Sequence, residues 1–178
     1  MPIQRVLARV LPLVLCFFCS LSWADATAEL EELIQNKQWA QAQQRLQSAA
    51  QQNPKTAASP QWRILNSQVL AGQGKRQEAI DVLQALIQEF PELPEPYNNL
   101  GVLLAAQGQL EEAVAALQTA VQARPNYKVA LQNLGDLYTA LAQQAYAQAK
   151  NASNGIGLLP LPKPAAQTTT STNTRTLR

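Results

Sequence analysis

Two pairs of adjacent glutamates, Glu31-Glu32 and Glu111-Glu112, are the groups whose type and spacing could support acid–base chemistry. Neighbouring residues of a helix project about 100° apart, so the two carboxylates of a pair would not converge on one substrate. Both pairs also fall in or near the first turn of a predicted helix, where a carboxylate favours the positive end of the helix dipole. We therefore interpret them as solvated charges at helix ends.

Other familiar chemistries are disfavoured by missing residue types. The chain has no His, and its two cysteines, Cys16 and Cys19, lie in a segment that is predicted to be removed. This excludes Ser-His-Asp and Cys-His nucleophile sites, zinc sites with nitrogen or sulfur ligands, and haem ligation by His. Gly72, Gly74 and Gly101 have neither the spacing nor the strand context of a phosphate-binding loop. The sequence predicts no catalytic, cofactor or metal site and no enzyme.

Residues 1–24 resemble a secretory signal peptide. Two arginines precede an apolar run, Val10 to Phe18, and the segment Ser22-Trp23-Ala24 places small residues before Asp25. The run is shorter than the roughly 20 residues that span a bilayer, and Pro12 interrupts it, so a retained membrane anchor is disfavoured. We expect cleavage near Ala24, a periplasmic product and no membrane insertion of that product.

Loss of this segment would leave the mature chain neutral. It contains two of the 14 basic residues and none of the 12 acidic residues. A neutral chain has no overall charge that would attract nucleic acid, so no nucleic-acid partner is predicted.

Residues 94–125 have the pattern of two short helices joined by a turn. Apolar residues recur at steps of three and four from Glu95 to Ala106, which places them on one helical face. Gly108 supplies the chain reversal, since glycine takes a positive φ without a Cβ penalty, and Pro125 ends the second helix. Two helices this short need similar neighbours to bury their apolar faces.

Such neighbours recur at a period of 34 residues. Gly108, Ala113, Leu117 and Pro125 have equivalents at Gly74, Ala79, Leu83 and Pro91, and Tyr97, Leu100 and Gly101 have equivalents at Leu131, Leu134 and Gly135. This period and these residue types resemble the tetratricopeptide repeat family. The positions that carry the resemblance are Tyr97, Leu100, Gly101, Leu104, Gly108, Ala113, Leu117, Ala120 and Pro125.

The resemblance implies an all-α fold, a short right-handed α-solenoid of antiparallel helix pairs over residues 25–153. The pairs are expected at about 26–53, 60–93, 94–127 and 128–152, with a turn at Asn36-Lys37 and a polar connection from Lys55 to Ser59. The outermost pairs are degenerate, as expected for caps. Because Ala142 to Ala145 are all good helix formers, the sequence leaves open whether 128–152 forms two helices or one.

By the same resemblance, the first helices of the pairs line a concave protein-binding groove. Residues one position beyond the packing face would point into it, namely Ile64, Gln68, Ala71, Asn98, Val102, Ala105, Gln132, Asp136 and Thr139. The candidate groove residues also include Glu95 and two asparagines beside the Leu-Gly pairs, Asn99 and Asn133. Asn99 and Asn133, 34 residues apart, would bind peptide backbone or form an interhelix hydrogen bond. No Lys is among the candidates, so we expect a neutral or mildly basic partner segment, near Asp136 and Glu95, rather than a terminal carboxylate.

Residues 154–178 are rich in Pro and Thr and are predicted to be a disordered tail, within which Ile156 to Leu161 would pack on the last helix or serve as a docking peptide. The predicted function is a non-enzymatic scaffold of the bacterial cell envelope that binds a partner protein and needs no cofactor. The alternatives are a self-associating structural component and an accessory factor of a cell-wall enzyme. The oligomeric state stays open.

Overall fold

The computed structural model describes residues 27–152, which form eight helices and no strand. The predicted signal peptide and the predicted tail lie outside these residues. The helices are α1 (27–35), α2 (Trp39–Gln52), α3 (Pro54–Ala58), α4 (Pro60–Gly72), α5 (Arg76–Glu89), α6 (Pro94–Ala105), α7 (Leu110–Ala123) and α8 (Lys128–Asn151). The all-α prediction is confirmed.

Three tight turns join α1 to α2, α4 to α5 and α6 to α7. Each contains one residue of positive φ, namely Lys37 at 57°, Gly74 at 80° and Gly108 at 79°. In each turn one N–H donates to the carbonyl five residues earlier: Gln38 to Leu33 at 2.8 Å, Lys75 to Leu70 at 2.9 Å and Gln109 to Leu104 at 3.0 Å. This pattern satisfies carbonyls left free at a helix C-terminus and reverses the chain. The predicted turns at Asn36-Lys37, Gly74 and Gly108 are therefore confirmed.

The segment between α2 and α4 differs from its prediction as a polar connection. It forms the short helix α3, since Pro54 occupies the first turn and the Asn53 side chain accepts a hydrogen bond from the Lys55 N–H at 3.1 Å. Ser59 then caps α4, accepting from the Trp62 N–H at 3.4 Å. Two capping side chains thus order a stretch whose composition indicated a loop.

The region expected as a fourth pair, for which the sequence left one or two helices open, is one helix. α8 continues for 24 residues from Lys128 to Asn151 without a turn. Its middle, Ala142-Gln143-Gln144-Ala145, offers no glycine for a positive φ and consists of residues with high helix propensity. The array is therefore three helix pairs followed by a single long helix.

The helices form two layers. α4, α6 and α8 contact one another in sequence, whereas α5 lies against α4 and α6, and α7 lies against α6 and α8. Over the described residues α5 and α7 do not contact each other. Neighbouring helices are therefore closer together in the row of α4, α6 and α8 than in the row of α5 and α7. The array curves toward that row, which makes it the concave face.

Close packing within the third pair depends on Gly101. A Cβ built on Gly101 would lie 2.7 Å from Leu117 Cγ and 3.1 Å from the Ala113 carbonyl oxygen. Leu117 and Ala113 are buried with Leu137 of α8 in one core cluster. A second cluster lies at the other end, where Leu30 of α1 and Leu46 of α2 pack beneath Trp62 of α4.

An ion pair also links the two helices of each of the first three pairs. These ion pairs join Arg45 Nε to Glu29 Oε2 at 2.8 Å, Arg63 Nη1 to Glu89 Oε2 at 2.7 Å and Arg124 Nη1 to Glu95 Oε1 at 2.8 Å. All three are partly exposed, so they fix the orientation of the helices more than they stabilise the fold.

Candidate protein-binding groove

A trough on the concave face runs between α4 and α6, and we call it the α4–α6 groove. It contains two hollows of about 280 Å³ each, one toward the N-terminal ends of these helices and one toward their C-terminal ends. Gln68 of α4 and Asn99 of α6 border both hollows. The two residues therefore join the hollows into one continuous surface.

The first, polar hollow brings together elements distant in sequence. Its lining residues are Glu31, Ile34, Gln35, Gln61, Ile64, Leu65, Gln68, Glu95, Asn99 and Tyr127. Glu95 is paired with Arg124, whose guanidinium lies 5.1 Å from the centre of the Tyr127 ring. Burial of the phenol, together with the nearby Glu95 charge, raises the pKa of Tyr127. The hollow thus presents a neutral phenol and two carboxylates, Glu31 and Glu95.

The second hollow is apolar. It is lined by Trp39, Ser67, Gln68, Ala71, Gly72, Leu83, Asn99, Val102 and Leu103. The Trp39 ring lies against the backbone of Gly72, where a Cβ would come within 2.5 Å of the ring. Val102 is 44% exposed at the edge of this hollow. An apolar side chain of a ligand would find an aromatic and aliphatic surface here.

A chain of amides leads from α8 to Asn99 at the edge of the α4–α6 groove. Asn133 Nδ2 of α8 donates to Asn98 Oδ1 at 2.9 Å, and Asn98 Nδ2 donates to Asn99 Oδ1 at 3.2 Å. Asn99 Nδ2 is buried and has no hydrogen-bond partner among the described residues. A buried donor without an acceptor is unfavourable, so the Asn99 side chain gains a hydrogen bond if it turns toward the hollows and meets a carbonyl of a bound chain.

The structure distributes the twelve predicted groove residues unevenly. Six border the two hollows: Ile64, Gln68, Ala71, Glu95, Asn99 and Val102. Gln132, Asp136 and Thr139 lie exposed along α8, beyond the two hollows. The binding role of all twelve stays a prediction.

Three placements depart from the predicted open surface. Asn98 is only 4% exposed, because it lies between α6 and α8 and bonds to Asn133. Of the two roles predicted for Asn133, the interhelix hydrogen bond is therefore the one that the structure contains. Ala105 is half-buried against the core cluster of Leu117 and Leu137. Ile64 is 6% exposed, so it forms the wall of the polar hollow instead of projecting from it.

The sequence prediction missed Trp39, Gly72, Glu31 and Tyr127. Glu31 was interpreted as a solvated helix-end charge. No local spacing places α1 or the residue before α8 against α4 and α6. The hydrogen bond from Gln73 Nε2 to the Trp39 carbonyl, at 3.5 Å, joins residues 34 positions apart and is likewise not encoded in local spacing.

Residues 27–152 contain no helix with the length and apolar character that crossing a bilayer requires. Over the same part of the chain, no three His, Cys, Asp or Glu side chains are grouped so that they could hold a metal ion. The polar groups of the groove are amides, a phenol and separated carboxylates, which suit hydrogen bonding to a ligand.

Stacked helix pairs with a grooved concave face define an α-solenoid of the helical-repeat class. The family profile described as "Tetratricopeptide repeat" matches residues 27–94 and 64–128, more than half of the chain. The chain belongs to the tetratricopeptide repeat family. This family consists of protein-interaction modules that are typically non-catalytic, so the chain is a protein–protein interaction scaffold.

Solved structures share this fold at low sequence identity. The first tetratricopeptide repeat domain of human RPAP3 is similar with a TM-score of 0.56 and 16% identity, over 68% of this chain and 93% of that domain. The Sgt2 tetratricopeptide repeat domain of Aspergillus fumigatus has a TM-score of 0.55 and 13% identity, over 80% of this chain and 91% of that one.

A third similar structure is a chain of Naa15/Naa10 bound to HypK-THB, with a TM-score of 0.58 and 19% identity. The match covers 72% of the present chain but only 19% of the length of that chain. No curated protein matches the sequence.

Proposed function

We propose that this protein holds an extended segment of a partner protein in the α4–α6 groove. The observation that carries the proposal is the unpartnered Asn99 amide, which lies where the polar and apolar hollows meet. A segment lying along both hollows would pass its backbone over Asn99 and, once the Asn99 side chain turns toward it, give that N–H an acceptor. Backbone recognition of this kind binds many sequences, so the hollows must supply the selectivity.

The two hollows differ in what they would accept. The apolar hollow, with Trp39 and Val102, fits one apolar side chain of the partner. In the polar hollow the charge of Glu95 is offset by Arg124, so the Glu31 carboxylate, which has no ion pair among the described residues, is the group that disfavours a partner carboxylate, and Asp136 on α8 adds negative charge further along the concave face. The preferred segment is therefore neutral or mildly basic with one apolar anchor.

The test uses synthetic 12-residue peptides with a central Leu flanked by Lys, Gln or Glu. Binding is followed by the fluorescence of Trp39, and a Trp39→Phe variant identifies its signal against that of the buried Trp62. We expect the Lys and Gln peptides to bind, with the Lys peptide weakened by salt, and the Glu peptide to bind at least about ten-fold more weakly. Equal or tighter binding of the Glu peptide would contradict the proposed selectivity.

Asn99→Ala tests the backbone contact. Loss of one hydrogen bond should weaken peptide binding about 2- to 12-fold without changing the order of the three peptides. Asn66→Ala is the matched control, since Asn66 is an amide on α4 that borders a different hollow, with Leu46 and Trp62. If both variants bind as the parent does, the segment does not cross Asn99.

We further propose that the scaffold works in the bacterial cell envelope. The support is the signal-peptide pattern of residues 1–24. Sequencing the N-terminus of protein recovered from the periplasmic fraction should give Asp25 as the first residue. A product that retains Arg5 and Arg9 and stays in the cytoplasmic fraction would refute export.

A further inference from the structure

α8 has a lengthwise apolar stripe that residues 27–152 cover only in part, since α7 reaches it at Tyr138, whose hydroxyl accepts a hydrogen bond from Gln118 Nε2 at 2.8 Å. Its members recur at steps of three and four and so share one helical face: Leu131, Gly135, Tyr138, Ala142 and Tyr146. Leu131 is 45% exposed, Tyr138 is 47% exposed and Tyr146 is 70% exposed. A Cβ at Gly135 would meet no atom of residues 27–152 within 4 Å. We call this surface the α8 stripe.

The preceding repeat shows what such a face normally contacts. In α6 the corresponding face packs on α7, with Leu117 against Gly101. α8 has no such outer helix after it, because it continues straight through the position where a turn would have reversed the chain. The α8 stripe is therefore a packing face whose partner is absent from the described residues.

The chain itself supplies a candidate cover just beyond α8. Ala152 is followed by Ser153-Asn154-Gly155, which are turn-forming residues, and then by the apolar segment Ile156 to Leu161. Six extended residues reach about 20 Å, and the stripe from Tyr146 back to Gly135 is about 17 Å long. We propose that residues 156–161 fold back along α8 and cover the α8 stripe in place of the missing outer helix.

Two physical reasons favour this occupant over a second copy of the chain. A segment tethered by four residues has an effective concentration in the millimolar range, well above that of a free partner at ordinary protein concentrations. Pro160 and Pro162 have no N–H to satisfy, so an extended segment containing them loses little by lying on a helix with no adjacent strand. Docking also removes two apolar surfaces of one chain from water.

Disulfide trapping tests the docking directly. In the full chain carrying Cys16→Ser and Cys19→Ser, the pair Ala142→Cys and Leu159→Cys should form an intramolecular disulfide in the monomer. The control pair, Gln144→Cys and Leu159→Cys, uses the same tail cysteine with a position on the opposite side of α8, and should cross-link at least about ten-fold more slowly. Equal rates would refute docking on the stripe. Cross-linked dimers that increase with protein concentration would assign the stripe to a second copy and also overturn the proposal.

Hydrogen exchange gives an independent readout in which α8 keeps its own sequence. With Leu158→Asp and Leu159→Asp together, amide exchange should accelerate in residues 135–146. The control variant, Thr168→Asp with Thr169→Asp, adds the same charges further along the tail and should leave this exchange unchanged. Exchange that is the same in both variants and in the parent would refute the contact.

Discussion

Gly101 and Gly135 occupy the same position in consecutive repeats, 34 residues apart, yet their surroundings are opposite. At Gly101 the side chain of Leu117 approaches so closely that there is no room for a Cβ, whereas a Cβ at Gly135 would have no atom of the described residues within 4 Å. The difference arises at the next turn. Gly108 lets the chain reverse after α6 and bring α7 back, while α8 has helix formers at the corresponding place and continues.

This contrast shows that a repeat motif specifies a packing face but not the partner of that face. The residues of α8 match those of α6 in type, but only the α6 set is buried against an outer helix of its own repeat. The Arg–Glu ion pairs follow the same rule. Within the described residues, each of the first three helix pairs contains one such ion pair, and α8 contains none. The following predictions test this difference.

The largest expected effect is that of truncating Leu117, which is 1% exposed. Leu117→Ala should lower the free energy of unfolding by about 2–5 kcal/mol, because it opens a cavity between α6 and α7. Leu131→Ala on the α8 stripe is the matched change and should have an effect below about 1 kcal/mol. Urea unfolding followed by circular dichroism compares the two, and similar losses would mean that the stripe is buried as deeply as the α6–α7 interface.

The two glycines should respond with opposite signs. Gly101→Ala should destabilise the protein by about 1–3 kcal/mol, since Leu117 and the Ala113 carbonyl oxygen must move to admit the methyl group. Gly135→Ala should stabilise it by up to about 1 kcal/mol, because Ala is the better helix former and the site has room. Thermal unfolding measures both, and destabilisation by Gly135→Ala would indicate a tightly packed neighbour on α8.

The smallest effect is expected from the ion pair between α4 and α5. The hydrogen bond from Arg63 holds the pKa of Glu89 below its usual value of 4.5. Because the pKa of Glu89 is lowered in the folded state, the Arg63–Glu89 ion pair stabilises the protein at pH values above 4.5. This stabilisation is lost as the pH falls through the folded-state pKa. Glu89→Gln should therefore slightly lower the melting temperature at pH 7 and have no effect in strong acid.

The control for this pH comparison is Glu92→Gln, which changes an exposed Glu between α5 and α6 that has no ion pair within the described residues. Its effect on the melting temperature should be smaller at pH 7. If the Glu89→Gln difference persists unchanged at low pH, the carboxylate charge is not its cause.

Much of the fold was predictable because its causes are local. The turn glycines Gly74 and Gly108 and the Leu-Gly pairs lie at fixed spacings, and the positive φ of each turn follows from the residue type. The last repeat was harder, since the sequence from 128 to 152 contains both a repeat pattern and an uninterrupted run of helix formers. The structure shows that helix propensity prevailed, as no glycine was present to stop α8.

The candidate groove was less predictable. Helical periodicity placed Gln68, Asn99 and Val102 on the concave side, where they border the hollows. It could not foresee that Asn98 would be buried by a hydrogen bond to α8, because that contact joins residues 35 positions apart. Nor could it foresee Trp39 and Tyr127, which come from outside the two helices of the groove.

The sequence by itself determined the repeat, its 34-residue period and its all-α class. This is because apolar spacing and turn residues determine the backbone structure within one or two helical turns of their own positions. Only the tertiary structure decided which side chains meet at the groove and which face of α8 lacks an outer helix within the described residues. Those outcomes depend on where whole helices come to lie, and a single turn, formed after α6 and missing from α8, changes the surroundings of every residue along the face it would have covered.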